Sequence, residues 1–121
     1  MATLNPSTTM RDLRWSAKEK AVAHKAFDLA LERELNAVIQ ETKDKAAKIK
    51  EPSELWELEH WLTRRRREID GTYDFSYSSL LLTFAILIRR GYLSEEDLHG
   101  LDQDKLDSIR RIVHDAAGHK R

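Results

Sequence analysis

The residue types best suited to binding chemistry are concentrated in one segment, residues 55–70, which reads LWELEHWLTRRRREID. On a helix of about 100° per residue, one side spread over about 120° collects Trp56, Glu59, His60, Arg66 and Arg67. Tryptophan and arginine are enriched at protein–protein hot spots, because of their contact area and the forked hydrogen bonding of the guanidinium group. We therefore predict that this face binds a partner protein.

Two other interpretations of this face remain open. In the first, Trp56 packs on the neighbouring helix or across a dimer, and the arginines form a solvated cap near the helix C-terminus, where cations suit the helix dipole. In the second, Arg64–Arg67 grip nucleic-acid phosphates. Four adjacent arginines point in four directions on a helix and have acidic neighbours, so we expect no nucleic-acid partner. The buried stripe of the same helix is predicted from an apolar cluster within about 60°, namely Leu55, Leu58, Leu62 and Ile69.

Motifs of the common enzyme classes are absent from the sequence. It contains no glycine-rich phosphate loop, no nucleophile elbow and no zinc-binding histidine pair. None of the five histidines is three or four residues from another, so no helix offers a two-histidine metal face. The chain has no cysteine, which excludes disulfides and cysteine-ligated metals. We expect no enzymatic activity, no metal site and no cofactor.

Length and composition predict one domain. The chain has 121 residues, with 21 basic and 21 acidic side chains, but only four glycines and two prolines. Few breakers and abundant Ala, Leu, Glu, Lys and Arg favour long helices, hence an all-α fold. The longest apolar stretch, Leu80–Ile88, is far below the roughly 20 residues that cross a bilayer. Residues 1–10 lack the pattern of a secretory signal, and we expect a cytoplasmic protein.

A long amphipathic helix is predicted from Ser16 to about Lys50. Ser16 and Glu19 have the spacing of a capping box. About 35 helical residues span about 50 Å, whereas a compact domain of this size is about 35 Å across. A second chain would cover the excess apolar stripe. We therefore predict an elongated antiparallel homodimer, with an interface that includes Leu31, Leu35, Val38 and Ile49.

Four further boundaries follow from caps and breakers. Pro52 should start a second helix, and Gly71 should end it as a left-handed cap. Leu80–Arg90 should be the central buried helix, ended by Gly91. Ser94 should begin the next helix, with Asp97 reaching back to it. On the last helix, the side chains that should face the core are Leu106, Ile109, Ile112, Val113 and Ala116. We expect a single all-helical domain at 14–117, a tail at 1–13 and a frayed end at 118–121.

The second helix and the turn after it carry a family resemblance. The run Leu55-Trp56-x-Leu58-x-x-x-Leu62-x-x-x-Arg66-x-Glu68-Ile69-Asp70-Gly71-x-Tyr73-Asp74 resembles the fluorescence recovery protein of cyanobacteria. The resemblance covers nearly the whole chain, and its other matching residues are Trp15-Ser16, Ala23-His24, Phe27, Ala30, Arg33-Glu34-Leu35, Phe84-Ala85 and Gly91.

The resemblance implies a small all-helical dimer without cofactor or catalysis. Members of this family bind the light-activated red form of the orange carotenoid protein, speed its return to the orange form and help detach it from the phycobilisome. It implies a cytoplasmic location, peripheral at thylakoid membranes in a cyanobacterium. In those members a Trp, an acidic residue and an Arg form the key contact group, and Trp56 and Arg66 match two of these positions.

Four positions, at three places in the chain, depart from the family pattern. Glu59-His60 stands where His-Asp is typical, which displaces the acidic group by one residue, or about 100° on a helix. Leu82 replaces a Phe, and a Lys near the last helix is replaced around Ser108. A helical dimer that serves as adaptor or scaffold for a different protein partner, in a bacterium that lacks the carotenoid protein, is therefore the alternative function.

Overall fold

The computed structural model describes residues 14–118, and the regular structure within this range is helical. Its elements are α1 (Ala17–Ala47), α2 (Pro52–Thr72), α3 (Leu80–Arg90), a single 3₁₀ turn (Glu95–Leu98) and α4 (Gln103–Gly118). The all-α prediction is confirmed. The expected tail at 1–13 and residues 119–121 of the expected frayed end at 118–121 lie outside the described residues, and so does the side chain of Ala116, whereas Gly118 is the last residue of α4.

The contacts divide the chain into two compact units. The first, which we call the core unit, combines the described residues 14–30 with residues 75–118. The second, the hairpin unit, comprises Leu31–Asp74, and so holds the second half of α1 and all of α2. The single domain at 14–117 stays a prediction.

In the core unit, α3 is the most buried helix and packs against α4. Its buried residues are Leu80, Thr83, Phe84, Ala85 and Leu87. Helix α1 meets this core with small side chains that allow close helix approach, together with one ring: Ala23, Ala26, Phe27 and Ala30. Gly91 ends α3 as predicted, and it lies in the left-handed region at φ 88°. Leu82 is 50% exposed, so the helix predicted to be the central buried one is uncovered on that side.

A buried carboxylate joins the start of α1 to the start of α4. The predicted capping box is present, since the Ser16 N–H donates to Glu19 and the Glu19 N–H donates to the Ser16 hydroxyl, each at 3.0 Å. The Glu19 carboxylate also accepts the Asp102 N–H at 2.9 Å and pairs with the Lys105 ammonium at 3.1 Å. Lys105 Nζ donates to the Arg14 carbonyl at 2.6 Å and lies 4.9 Å from the Trp15 ring centroid. Glu19 and Lys105 are thus both buried, and each is hydrogen-bonded to several partners.

Burial raises the pKa of Glu19, but donors from Asp102, Ser16 and Lys105 outweigh it, so the net pKa lies below the ordinary value of 4.5. The carboxylate form is therefore the one that stabilises the core unit.

Two helix boundaries differ from prediction. Helix α1 ends at Ala47 rather than near Lys50. Helix α2 begins at Pro52 as predicted but continues through Gly71 to Thr72, and Gly71 does not have a positive φ. The Tyr73 N–H donates to the Ile69 carbonyl at 2.9 Å, and the Tyr73 hydroxyl is anchored on Glu34. This anchor compensates for the roughly 1 kcal/mol that an interior glycine costs a helix.

The apolar stripe of α2 is less buried than expected. Ile69 is buried and Leu58 is half-buried, but Leu55 and Leu62 are 49% and 38% exposed in the single chain. The cause is geometric, since within the hairpin unit only one other helical segment, the second half of α1, is available to cover α2.

The apolar face of α4 is likewise only partly buried. Ile109 is buried, whereas Leu106, Ile112 and Val113 are half-buried. The 3₁₀ turn before it carries the predicted Ser94–Asp97 capping box.

Glu19→Gln should destabilise the core unit by about 1–3 kcal/mol at pH 7, because the substitution leaves the buried Lys105 ammonium without its counter-charge. Because the folded-state pKa of Glu19 is lowered, its stabilisation is present above pH 4.5 and is lost as the pH falls through the folded-state pKa. Thermal unfolding followed by circular dichroism should show the difference between wild type and variant shrinking as the pH falls. A difference that stays constant from pH 7 to pH 3 would contradict this account.

Gly100→Ala and Gly71→Ala form a matched pair. Gly100 has φ 116°, and a Cβ there would lie 2.7 Å from Val22 Cγ2, so alanine should cost about 1–3 kcal/mol in unfolding free energy. Gly71 is helical with open space around it, so alanine should be neutral or stabilise by up to about 1 kcal/mol. Urea unfolding measures both. Marked destabilisation by Gly71→Ala would contradict the helical conformation of Gly71 and support the left-handed cap predicted from the sequence.

Candidate functional site

The predicted partner-binding residues all lie on α2, and all are exposed to solvent. Trp56 is 62% exposed, which leaves a large apolar surface in contact with solvent in the single chain. The neighbouring helix of its own chain therefore leaves most of Trp56 uncovered, and packing across a dimer stays a prediction. The structure places five side chains on one side of the helix, which we call the docking face: Trp56, Glu59, His60, Arg66 and Arg67.

Contacts within the docking face are local and weak. His60 Nδ1 lies 3.2 Å from the Trp56 carbonyl, one helical turn earlier, and 3.6 Å from Glu59 Oε1. Arg66 Nε is 3.8 Å from the Asp70 carboxylate, and both side chains are highly exposed. Such exposed pairs stabilise the fold by at most about 1 kcal/mol. These charges therefore remain available for contact with another molecule.

A groove of about 770 Å³ adjoins this face, between the end of α1 and the first half of α2. Apolar and aromatic side chains in its lining include Ile49, Leu58 and Trp61, and Trp56 and His60 reach it from the docking face. Its cations are Lys45, Lys48 and Arg64, with Lys45 Nζ 5.0 Å from the Trp61 ring centroid. Glu54 and Glu57 add acidic groups to the same lining, so the groove offers apolar surface with charges of both signs, and the sequence analysis did not identify it.

The four adjacent arginines, Arg64–Arg67, do not share one environment. Arg65 turns inward, where Nη2 donates to Glu34 Oε2 at 3.0 Å and Nη1 donates to Glu68 Oε1 at 3.0 Å. The Tyr73 hydroxyl donates to the other Glu34 oxygen at 2.9 Å. Glu34 is only 1% exposed. With Arg65 committed to carboxylates, the run does not present four free cations to phosphates, and this argues against the nucleic-acid interpretation.

Sequence reasoning missed this buried network, although one signal was available. Glu34 is three residues after Leu31 and four before Val38, so it lies on the apolar stripe of α1. A carboxylate on a buried face requires donors, because an unpaired buried charge is very costly. The partner could not be chosen from the sequence, since α2 offers several cations.

The predicted dimer-interface residues are incompletely covered in the single chain. Leu31, Val38 and Ile49 are half-buried and Leu35 is exposed. Ile39, which we did not predict, is also exposed, as are Leu55 and Leu62 on α2.

Two other kinds of site are not found in the described part of the chain. Within residues 14–118, no group of three His, Cys, Asp or Glu side chains is arranged to hold a metal ion. In the same range, no helix is both long and apolar enough to cross a membrane.

Comparison with known proteins gives one consistent result. The family model described as photoprotection regulator fluorescence recovery protein matches residues 15–113. The fluorescence recovery protein of Synechocystis sp. is 35% identical over 99 residues, which cover 82% of this chain and 91% of the relative.

Solved structures agree. The fluorescence recovery protein of Fremyella diplosiphon superposes with a TM-score of 0.80 at 46% identity, covering 84% of this chain and 99% of that one. The Synechocystis structure gives a TM-score of 0.79 at 34% identity with the same coverage. By sequence and by structure alike, this chain belongs to the fluorescence recovery protein family of photoprotection regulators.

Proposed function

We propose that this chain is a non-enzymatic regulator that binds the photoactivated orange carotenoid protein, accelerates its return to the orange resting form and promotes its release from the phycobilisome. The observation that carries the proposal is the exposed Trp56 with Arg66 on the same side of α2. These two positions match the contact tryptophan and arginine that the family resemblance implies. In this role the protein acts in the cytoplasm, or peripherally at thylakoid membranes in a cyanobacterium.

The mechanism is a shift of the partner's population between two forms. A ligand moves a conformational equilibrium only through its different affinity for the two states. To accelerate reversion, it must bind the transition between the forms more tightly than the activated form itself. Trp56 supplies apolar area and Arg66 a forked donor, while Glu59, His60 and Arg67 surround them with charge of both signs. No group on this face is required to do covalent chemistry.

We also propose that the working unit is an antiparallel homodimer. The support is the apolar surface of the hairpin unit that its own chain leaves uncovered, namely Leu35, Ile39, Leu55 and Leu62. Burying it against a second copy would stabilise by roughly 25 cal/mol per Å² of apolar surface removed from water. The predicted interface residues Leu31, Leu35, Val38 and Ile49 belong to this pairing.

A second candidate function is favoured by one local feature. Glu59 and His60 exchange the acidic and imidazole positions of the family pattern, and Glu59 Oε2 accepts a 3.3 Å hydrogen bond from the Thr63 hydroxyl. The acidic contact group therefore projects about 100° away from its usual direction. In that alternative the same dimer is an adaptor or scaffold for a different protein.

Trp56→Ala and Arg66→Leu should each abolish acceleration of the dark reversion of photoactivated orange carotenoid protein, followed by absorbance. Both side chains are exposed, so helicity by circular dichroism and dimer mass by light scattering should not change. Lys43→Leu is the matched control, because it removes an exposed cation from α1 outside the docking face and should leave the rate unchanged.

Three results would contradict the proposal in different ways. Normal reversion with either variant would remove that residue from the site. No acceleration by excess wild-type protein would overturn the carotenoid-protein partnership and favour the adaptor. Salt-sensitive retention of DNA or RNA would favour the nucleic-acid interpretation.

Leu35→Glu should weaken the dimer by about 100-fold or more, because it forces an unpaired carboxylate into the proposed apolar interface. Light scattering over a dilution series should show the mass falling from two chains to one. Asn36→Glu adds the same charge one residue along, on an exposed polar position, and should leave the mass at two chains. An unchanged mass with Leu35→Glu would exclude this residue from the interface.

A further inference from the structure

In the buried network of the hairpin unit, Arg65 and Tyr73 both donate hydrogen bonds to the Glu34 carboxylate. Each Glu34 oxygen has its own donor, with Arg65 on Oε2 at 3.0 Å and Tyr73 on Oε1 at 2.9 Å. The Arg65 side chain is 18% exposed, against 85% for Arg66 next to it. Two adjacent arginines therefore have opposite environments.

We propose that Glu34, Arg65 and Tyr73 are positioning residues, which hold α2 in a single register and rotation on α1 and thereby set the orientation of the docking face. The inference rests on the proposed function, because it assigns these residues to the same partner-binding site without placing them in contact with the partner.

The apolar contacts between α1 and α2 specify the register of the two helices only weakly. Only Ile69 of α2 is buried in the single chain, and apolar contacts are non-directional. Sliding α2 by one turn, about 5.4 Å, would still allow leucines to meet the stripe of α1. The same shift would remove both donors from Glu34 and leave a buried charge without a partner, which is strongly destabilising. The polar network therefore distinguishes registers that the apolar contacts do not.

Rotation is determined by the same contacts. Because Arg65 must point at Glu34, its neighbour Arg66 is turned about 100° away, toward solvent. Trp56 lies nine residues before Arg65 on the same helix, which places it about 180° away from Arg65 around the axis. Pointing Arg65 inward thus turns Trp56 outward, as its exposure shows.

A variant that removes the charges without leaving one buried separates positioning from stability. Glu34→Met with Arg65→Met replaces the pair by unbranched apolar side chains, and replacing a buried ion pair by apolar residues is often neutral or stabilising. We expect this double variant to keep its helicity and melting temperature, but to accelerate reversion of photoactivated orange carotenoid protein about tenfold less well. Arg65→Lys, which keeps one donor for Glu34, should recover most of the activity. Lys43→Met is the control for loss of an exposed cation.

A second readout needs no partner. Because the chain has no cysteine, spin labels can be attached at Asn36→Cys on α1 and Glu57→Cys on α2, both exposed in the hairpin unit. Labelled chain diluted with unlabelled chain reports the distance between the two helices by pulsed electron resonance. We expect a narrow distribution in wild type and in Arg65→Lys, and a broad or shifted one in the double variant.

The outcomes separate the two proposals. A narrow distribution in the double variant, or full reversion activity with it, would overturn the positioning role and leave the network purely structural. So would an Arg65→Lys variant as impaired as the double variant. If wild-type protein fails to accelerate reversion, the proposed function fails, while the distance distributions still decide whether the network sets the register.

Discussion

A single carboxylate in the apolar stripe of α1 organises the hairpin unit. Glu34 is almost fully buried, so it must receive hydrogen bonds, and both of its oxygens do so from residues 31 and 39 positions later in the chain. Meeting that requirement brings α2 alongside α1 in antiparallel order. It turns the Arg65 side chain inward, unlike the neighbouring Arg66. It also extends α2 past Gly71, because Tyr73 has to follow the helix closely enough to reach Glu34. The exposed docking face lies on the other side of the same helix.

The core unit solves the same physical problem with different residues. Glu19 is buried and is surrounded by donors from its own cap, from the Asp102 backbone and from Lys105. In both units the desolvation penalty of a carboxylate is offset by several donors that come from distant parts of the chain. Each carboxylate thereby favours one packing arrangement over others of similar apolar burial. A few charged side chains of this chain are therefore buried and paired, whereas most of the others are exposed to solvent.

The sequence predicted those features that depend on neighbours within one helical turn. The Ser16–Glu19 and Ser94–Asp97 boxes, the start at Pro52 and the left-handed Gly91 all have local causes, and all are present. Gly71 was misassigned because the contact that overrides its preference, Tyr73 with Glu34, spans 39 residues. The split within the arginine run was missed for the same reason. Exposure of Leu55 and Leu62 could not be read from the periodicity, which identifies an apolar face but not what covers it.

The central claim is that Trp56 touches the photoactivated partner. The most direct measurement places a photo-cross-linking amino acid at position 56 and mixes the protein with orange carotenoid protein before or after illumination. Mass spectrometry of the products should show cross-links to the carotenoid protein that are stronger for the photoactivated form than for the resting form. Cross-links that are absent, or that join only two copies of this chain, would contradict the claim and would place Trp56 in the dimer interface instead.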